Sequence, residues 1–262
     1  MPYAELADVR LHYEFEGDSA APVLMLSNSL GTDLGMWAPQ MAALTTSFRV
    51  LRYDTRGHGQ SSVPPGPYTV AQLGRDTLDL LDALEIPRAH FCGLSMGGMT
   101  GMWLGIHVPE RMISLALCNT AAKIGTAETW DARIAAVRAG GMKSIVDAVL
   151  ARWFTPAFIA KATPEVAAVR AELERTPPDG YTACCAAVRD MDQRDAIAGI
   201  RTPTLVIAGT HDLATPPADG RLVADRIPDA RYVELPAAHL SNIEATPGFN
   251  AALTSFLARA AP

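Results

Sequence analysis

One serine of the sequence lies between two glycines in a spacing typical of nucleophilic catalysis. Gly93-Leu94-Ser95-Met96-Gly97 fits the pattern G-x-S-x-G, in which a sharp strand-to-helix turn exposes the serine hydroxyl. Side chains at the glycine positions would collide in such a turn. An apolar run precedes Ser95 and a helical pattern follows it. We therefore predict that Ser95 is a nucleophile and that the N-terminus of the following helix is directed at the reaction centre.

A serine hydroxyl is a weak nucleophile at neutral pH and requires a general base. Behind a G-x-S-x-G serine the partners follow in the order acid, then histidine. The histidines beyond Ser95 are His107, His211 and His239. His107 lies within the helix after the serine, and His211 directly follows a strand, where a turn residue is expected. His239 lies in a loop before the last helix and is the predicted base.

Asp212 is the predicted acid of this set. It follows the apolar run at residues 204–209, at the carboxyl edge where open parallel sheets place their sites. Its expected role is to fix the imidazole tautomer and to stabilise the imidazolium. An aspartate at the end of another strand is the alternative, but Asn119 occupies the most plausible such position.

Acyl transfer through a serine also requires donors for the developing oxyanion, each worth about 3 kcal/mol. The backbone N–H of Met96, at the start of the helix, is one expected donor. The backbone N–H of Leu30, in the loop after the run at residues 23–28, is the other.

A different glycine-containing sequence, Arg56-Gly57-His58-Gly59, lacks the GK[ST] of a phosphate-binding loop, and we interpret it as a structural turn.

Composition excludes several classes of function. The 262 residues carry a net charge of −6, which argues against a nucleic-acid binder because such proteins need a basic patch. No apolar run reaches the length of a membrane span, and the first residues lack the features of a signal peptide. The four cysteines form no CxxC pair and no metal spacing with histidine. We expect reduced cysteines, no metal and a cytoplasmic location; nothing in the sequence specifies an oligomeric state.

The periodicity of the chain predicts an α/β protein. Residues 9–15 alternate between apolar and polar side chains, as in an antiparallel edge strand. Further runs suit buried parallel strands, and they lie at residues 23–28, 48–54, 90–95, 113–119 and 204–209, with a weaker strand at 231–235. Helical patterns at residues 70–84, after Ser95 and at 249–260 separate or follow these strands.

The alternation of strands and helices fails between about residues 121 and 200, where the patterns are helical. These patterns cover residues 129–141, 142–154 and 163–176. We predict a helical insertion that lies over the sheet. The domain division is therefore 1–120 for the first part of the core, 121–200 for a helical cap and 201–262 for the second part of the core.

Taken together, these motifs resemble the α/β-hydrolase superfamily along essentially the whole chain. The matching segments are NSLGTD, YDTRGHGQS, CGLSMGG, GTHD and AAHLSNIE. The resemblance implies a mostly parallel eight-stranded sheet flanked by helices, with a helical cap inserted after strand 6. Ser95 as the nucleophile disfavours the dehalogenase and epoxide hydrolase branches, which use an aspartate there.

Within that superfamily the chain is most similar to the bacterial 3-oxoadipate enol-lactonases. Asn28-Ser29 in NSLGTDLGMW stands where most α/β-hydrolases have His-Gly, and residues 119–142 and the segment SNIEATPGFN also match. The resemblance implies hydrolysis of 3-oxoadipate enol-lactone to 3-oxoadipate, a step of the beta-ketoadipate pathway of aromatic catabolism. It implies no metal and no organic cofactor.

The implied substrate carries a free carboxylate, which a cation of the cap is expected to receive. The cap cations are Lys123, Arg133, Arg138, Lys143, Arg152 and Lys161. We predict Arg133, because a planar guanidinium matches a carboxylate bidentately and because it lies in the segment that resembles the family cap. Trp130 and Trp153 are expected to wall the pocket. The alternatives are a solvated surface arginine and tryptophans that pack in the core.

Fold and triad do not by themselves fix the substrate. A broad carboxylesterase, a perhydrolase and a hydrolase of carbon–carbon bonds in ring-cleavage products use the same triad. A small-molecule receptor of the same fold is a further alternative from another class, although binding alone does not require an oriented base.

Overall fold

An eight-stranded sheet forms the centre of the computed structural model, which describes residues 2–260. The strands are β1 (Tyr3–Glu5), β2 (Arg10–Glu16), β3 (Val23–Ser27), β4 (Arg49–Tyr53), β5 (Ala89–Leu94), β6 (Met112–Cys118), β7 (Thr204–Gly209) and β8 (Arg231–Leu235). Their order across the sheet is β1-β2-β4-β3-β5-β6-β7-β8. β1 and β2 pair antiparallel, β2 pairs antiparallel with β4, and the other pairs are parallel. The predicted mixed, mostly parallel sheet is confirmed.

The central strands are apolar because helices cover both faces of the sheet. Every residue of β5 and of β7 is buried. The predicted strands at residues 204–209 and 231–235 coincide with β7 and β8. β1 was not predicted, since three residues are too few to show a periodicity.

Six helices accompany the strands of the core. They are α1 (Ala38–Leu44), α2 (Val70–Ala83), α3 (Met96–His107), α9 (Pro217–Arg226), α10 (Ser241–Glu244) and α11 (Thr246–Leu257). Thr69 caps α2 in a capping box with Gln72. α11 begins three residues before the predicted start at Phe249, because Pro247 suits the first turn of a helix, where its missing N–H is not needed. No helix within residues 2–260 is long and apolar enough to cross a bilayer.

The segment between β6 and β7 is helical, as predicted. It contains α4 (Ala127–Gly140), α5 (Val146–Trp153), α6 (Pro156–Ile159), α7 (Pro164–Arg175) and α8 (Pro178–Asp190). Thr126 caps α4 by accepting a hydrogen bond from the backbone N–H of Thr129. The limits of the cap at residues 121 and 200 stay a prediction.

The C-terminal end of α7 contacts the loop that follows β3. The Thr176 hydroxyl donates to the carbonyl oxygen of Gly31 at 2.9 Å, and the N–H of Asp33 donates to the carboxylate of Glu172 at 3.4 Å. Glu172 is 7% exposed. Burial, together with the charge of Asp33, raises the pKa of Glu172 to about 8. The insertion is thus joined to the core through a carboxyl group that is costly to ionise.

Glu172→Gln is expected to stabilise the protein at high pH. In the unfolded chain Glu172 ionises near 4.5, whereas in the fold it ionises near 8. Ionisation therefore removes stability progressively as pH rises from about 5 to 9, and the neutral glutamine escapes this loss. We expect the variant to gain about 2–4 kcal/mol in free energy of unfolding at pH 9 and almost nothing at pH 5. Urea unfolding at both pH values measures the difference. Glu165→Gln, at an exposed site of α7, is the control, and a gain independent of pH would contradict the prediction.

Candidate active site

Ser95 forms the turn between β5 and α3. Its backbone has φ 58° and ψ −112°, a strained region for a residue with a side chain. Two hydrogen bonds hold it there: the Ser95 N–H donates to the carbonyl oxygen of Cys118 at 2.8 Å, and the Thr120 hydroxyl donates to the Ser95 carbonyl oxygen at 2.7 Å. Strain retained by surrounding contacts is typical of functional positions.

The glycines on both sides of Ser95 are sterically required. A Cβ atom on Gly93 would lie 2.2 Å from the carbonyl oxygen of Gly97, and a Cβ atom on Gly97 would lie 2.2 Å from the carbonyl oxygen of Ser27. Both obstacles are backbone atoms, which cannot rotate away as a flexible side chain can. The turn therefore has the close packing on which the G-x-S-x-G prediction depends.

Gly93→Ala is expected to destabilise the protein and to displace Ser95. The added methyl group forces β5 and α3 apart, at a cost of about 3 kcal/mol in free energy of unfolding. A displacement of about 1 Å at Ser95, the predicted nucleophile, is expected to lower kcat by roughly 100-fold. Denaturant unfolding and ester hydrolysis measure the two effects. Gly199→Ala is the matched control, since a Cβ there meets nothing within 4 Å. Equal behaviour of the two variants would contradict the steric argument.

Asp212 and His239 form a buried pair. The Nδ1 atom of His239 lies 2.8 Å from Oδ2 of Asp212, and the two residues are 2% and 3% exposed. The same Oδ2 accepts from the Asn119 side-chain amide at 3.0 Å and from the Thr215 hydroxyl at 2.9 Å. This arrangement places the proton on Nδ1 and leaves Nε2 of His239 free to act as a base.

The Asp212 carboxylate is stabilised in its charged form. Burial alone would raise its pKa, but the charge of His239 and the hydrogen bonds from His239, Asn119 and Thr215 hold the pKa below its ordinary value. The other oxygen, Oδ1, accepts from the N–H groups of Ala214 at 2.7 Å and of Thr215 at 2.9 Å. An ionised Asp212 is suited to stabilise an imidazolium on its partner.

Ser95 and His239 line the same cavity, which has a volume of about 250 Å³. The Ser95 hydroxyl has no hydrogen-bond partner within residues 2–260, and hydrogen bonds of this kind are often long without substrate. Trp153 stacks on the His239 ring with centroids 6.1 Å apart and an interplanar angle of 29°. The cavity thus brings a strained serine and an oriented imidazole to one wall.

The predicted oxyanion donors, Leu30 and Met96, line this cavity beside Ser95. Neither amide donates to an acceptor in the described part of the chain. The loop that carries Leu30 is fixed through Asn28, whose carbonyl oxygen accepts from the Gly97 N–H at 3.0 Å. The Asn28 side chain accepts from Trp37 Nε1 at 2.9 Å. The substitution of Asn28 for the usual histidine is therefore accommodated by specific buried contacts.

His58, in the turn Arg56–Gly59, contacts the loop that carries Leu30. Its Nε2 accepts from the N–H of Gly31 at 2.9 Å, and its Nδ1 lies 3.2 Å from the carbonyl oxygen of Arg56. Burial lowers the pKa of His58 to about 4, so the ring is neutral and can accept this hydrogen bond at neutral pH. The sequence RGHG thus positions the loop that carries Leu30, in agreement with its interpretation as a structural turn.

The helical insertion supplies the remaining wall of the cavity. Trp130, Arg133 and Trp153 all line it. The Arg133 guanidinium lies 5.1 Å from the centroid of the Trp130 ring, and Trp130 Nε1 donates to the carbonyl oxygen of Ile124 at 2.9 Å. The structure therefore brings the three predicted cap residues to the cavity that contains Ser95. Their role toward a substrate stays a prediction.

Comparison with known proteins agrees with this geometry. Residues 22–246 match the family model of the alpha/beta hydrolase fold. This chain belongs to the α/β-hydrolase family. It is 45% identical to 3-oxoadipate enol-lactonase 2 of Acinetobacter baylyi over 96% of this chain and 94% of the relative. It superposes on the crystal structure of the enol-lactonase from Burkholderia xenovorans LB400 with TM-score 0.97 and 50% identity, covering 98% of this chain and all of that one. The resemblance to the enol-lactonases is thereby confirmed.

A more distant solved structure shares the fold of this α/β-hydrolase. A thermophilic esterase from Thermogutta terrifontis superposes with TM-score 0.89 at 28% identity, covering 96% of this chain and 94% of the esterase.

Within residues 2–260, no group of three His, Cys, Asp or Glu side chains is arranged to hold a metal ion.

Several site residues of this α/β-hydrolase were not predicted from the sequence. Arg152 of α5 lines the cavity, but six cap cations were candidates and helical periodicity does not distinguish them. Thr215 contacts Asp212 from a turn three residues later, a spacing at which aspartate often bonds to its own turn. Asn119 was recognised at the end of β6 but not as a donor to Asp212. The Ser241 hydroxyl fixes it, donating to Asn119 Oδ1 at 2.5 Å.

Proposed function

We propose that this α/β-hydrolase hydrolyses 3-oxoadipate enol-lactone to 3-oxoadipate. The observation that carries the proposal is the placement of Arg133 in the cavity of Ser95 and His239, where a substrate needs both an electrophilic carbonyl group and a carboxylate. The identity to two enol-lactonases over nearly the whole chain supports it. We also propose that residues 121–200 act as the cap of the site and that the enzyme is cytoplasmic.

In the first half of the proposed reaction His239 acts as a base. Its Nε2 takes the hydroxyl proton of Ser95 while the Ser95 oxygen attacks the lactone carbonyl carbon. The N–H groups of Leu30 and Met96 donate to the resulting oxyanion. The ring C–O bond then breaks, the leaving enol oxygen takes the proton from His239, and the enol tautomerises to the ketone. The acyl group remains as an ester on Ser95.

In the second half, water replaces the serine. His239 takes a proton from a water molecule whose oxygen attacks the ester carbonyl, and the same two amides stabilise the second oxyanion. The bond to Ser95 breaks, the serine oxygen recovers its proton from His239, and the product leaves with a new carboxylate. Asp212 remains ionised throughout and stabilises the imidazolium in both halves.

The proposal is tested by comparing two substrates. Steady-state kcat/KM is measured for freshly generated 3-oxoadipate enol-lactone and for p-nitrophenyl acetate, which has the ester but not the carboxylate. We expect the lactone to be better by about 100-fold or more, as the free carboxylate contributes binding energy. A better rate with the simple ester would identify a generalist esterase, and turnover of neither would reject ester hydrolysis.

Arg133→Ala is expected to affect the two substrates differently. Loss of a charge-assisted hydrogen bond to the carboxylate lowers kcat/KM for the lactone by about 10-fold to 100-fold. Hydrolysis of p-nitrophenyl acetate changes less than about twofold, because that substrate has no group for the guanidinium to bind. Arg138→Ala, on the same helix but outside the cavity, is the matched control. A parallel loss on both substrates would show that Arg133 maintains the cavity and does not recognise the carboxylate.

A further inference from the structure

We infer that Arg133 and Arg152 together form a binding site for two carboxylates, so that the cavity binds a six-carbon dicarboxylate more tightly than a monocarboxylate of the same length. The identity of the natural dicarboxylate, the reaction product, rests on the proposed function. The binding chemistry follows from the two guanidinium groups themselves.

Both arginines line the catalytic cavity without a carboxylate partner. Arg152 donates from Nη2 to the carbonyl oxygen of Leu213 at 2.7 Å, and within residues 2–260 neither Arg133 nor Arg152 lies in an ion pair. Several other arginines of the insertion are paired, as Arg170 is with Asp147 at 2.6 Å and Arg189 with Asp131 at 2.6 Å. Within residues 2–260 Arg138, outside the cavity, has no ion pair either, so what distinguishes Arg133 and Arg152 is that both unpaired guanidinium groups line the same cavity.

The two positive charges affect each other. Both guanidinium groups line the same cavity of about 250 Å³, and burial and the charge of Arg133 lower the pKa of Arg152. Asp212 also acts on Arg152, but both oxygens of its carboxylate are occupied by hydrogen bonds from other residues. Two like charges that face one small cavity repel each other, and a ligand with two negative charges relieves this repulsion.

The proposed reaction creates such a ligand. The lactone carries one carboxylate, and hydrolysis of its ring adds water and releases a second carboxylate and a proton. The substrate is a monoanion and the product a dianion. One guanidinium suffices to receive the substrate, whereas the product engages both. The structure therefore predicts inhibition by the product and by other dicarboxylates of similar length.

Binding of adipate and of hexanoate to the full-length protein, measured by calorimetry without turnover, tests this inference. We expect the wild type to bind adipate at least about 10-fold more tightly than hexanoate. Arg133→Gln and Arg152→Gln each weaken adipate binding by about 10-fold to 100-fold and bring the ratio toward one. Arg152→Lys, which keeps the charge, retains more of the preference than Arg152→Gln. Arg138→Gln, outside the cavity, leaves the ratio unchanged, and thermal melting verifies that each variant is folded.

Equal binding of the two acids by the wild type, or an unchanged ratio in folded Arg152→Gln, would overturn the inference. The result of the adipate-binding experiment can be distinguished from the result of the lactone-turnover experiment that tests the proposed function. A preference for adipate in a protein that does not turn over the lactone would uphold the two-carboxylate site and reject the lactonase. Rapid lactone hydrolysis without a preference for adipate would do the reverse.

Discussion

Ser95→Ala is expected to lower kcat for the enol-lactone by about a millionfold, the largest effect of any single substitution in this protein. Alanine removes the oxygen atom that we propose to form the acyl-enzyme, and water must then attack the lactone directly. The proposed oxyanion donors at Leu30 and Met96 remain, so a residual acceleration over the uncatalysed reaction, roughly 10³-fold to 10⁴-fold, is expected to persist. Stopped assays at high enzyme concentration measure a rate this low.

The fold should be unaffected by Ser95→Ala, because no other residue depends on the Ser95 hydroxyl for a hydrogen bond within the described chain. The free energy of unfolding of the variant is therefore expected to be at least equal to that of the wild type. Alanine relieves no backbone strain, but it also loses no contact. Ser255→Ala, at an exposed site of α11, controls for loss of a hydroxyl that has no hydrogen-bond partner within the described chain. Retention of more than about one per cent of kcat in Ser95→Ala would contradict the assignment of the nucleophile.

Asp212→Asn is expected to lower kcat by about 10⁴-fold. The carboxylate oxygen that accepts from His239 Nδ1 also accepts from Asn119 and Thr215. An asparagine there must present either an NH₂ group, which opposes the His239 Nδ1–H, or a neutral oxygen, which stabilises an imidazolium less. Both arrangements disfavour the tautomer in which Nε2 is the base.

The loss in Asp212→Asn should appear in kcat for both the lactone and p-nitrophenyl acetate, since the base serves any ester. This distinguishes it from Arg133→Ala, which affects the lactone alone. Asp225→Asn, at an exposed site of α9, is the matched control for removal of one negative charge. A loss smaller than about tenfold in Asp212→Asn would contradict its role as the acid of the triad.

The elements of the fold that were predictable are those with a local cause. β7 was bounded correctly because a continuous apolar run and flanking turn residues mark a buried strand in any context. β8 coincides with the weaker strand predicted at residues 231–235, which has no continuous apolar run and is largely half-buried or exposed. The turn at Ser95 was predictable because a side chain at either of its two glycines would clash with nearby backbone atoms. β1 carried no such signal, and α11 was misjudged at its start because the apolar pattern begins after its proline.

The residues of the candidate site that could be predicted are those for which a motif specifies both the residue type and the order along the chain. Ser95, Asp212 and His239 meet in the structure because their order and their positions at strand ends specify one edge of the sheet. The contacts made by Asn119, His58 and Arg152 join segments far apart in sequence, and polar residues at such positions look ordinary until the strands are assembled. A cap arginine that faces the cavity differs from one in a surface ion pair only by its three-dimensional neighbours.

Opening of the lactone is proposed to form an ester on Ser95, and rapid-quench mass spectrometry detects this ester. Wild-type enzyme is mixed with excess enol-lactone, quenched in acid within milliseconds, and digested. We predict that the mass of the peptide that contains Ser95 increases transiently by the full mass of the lactone, because ring opening loses no atoms. This increase is expected to be absent in Ser95→Ala. Turnover of the lactone with no adduct at any time, together with an active Ser95→Ala variant, would contradict the assignment of Ser95 as the nucleophile.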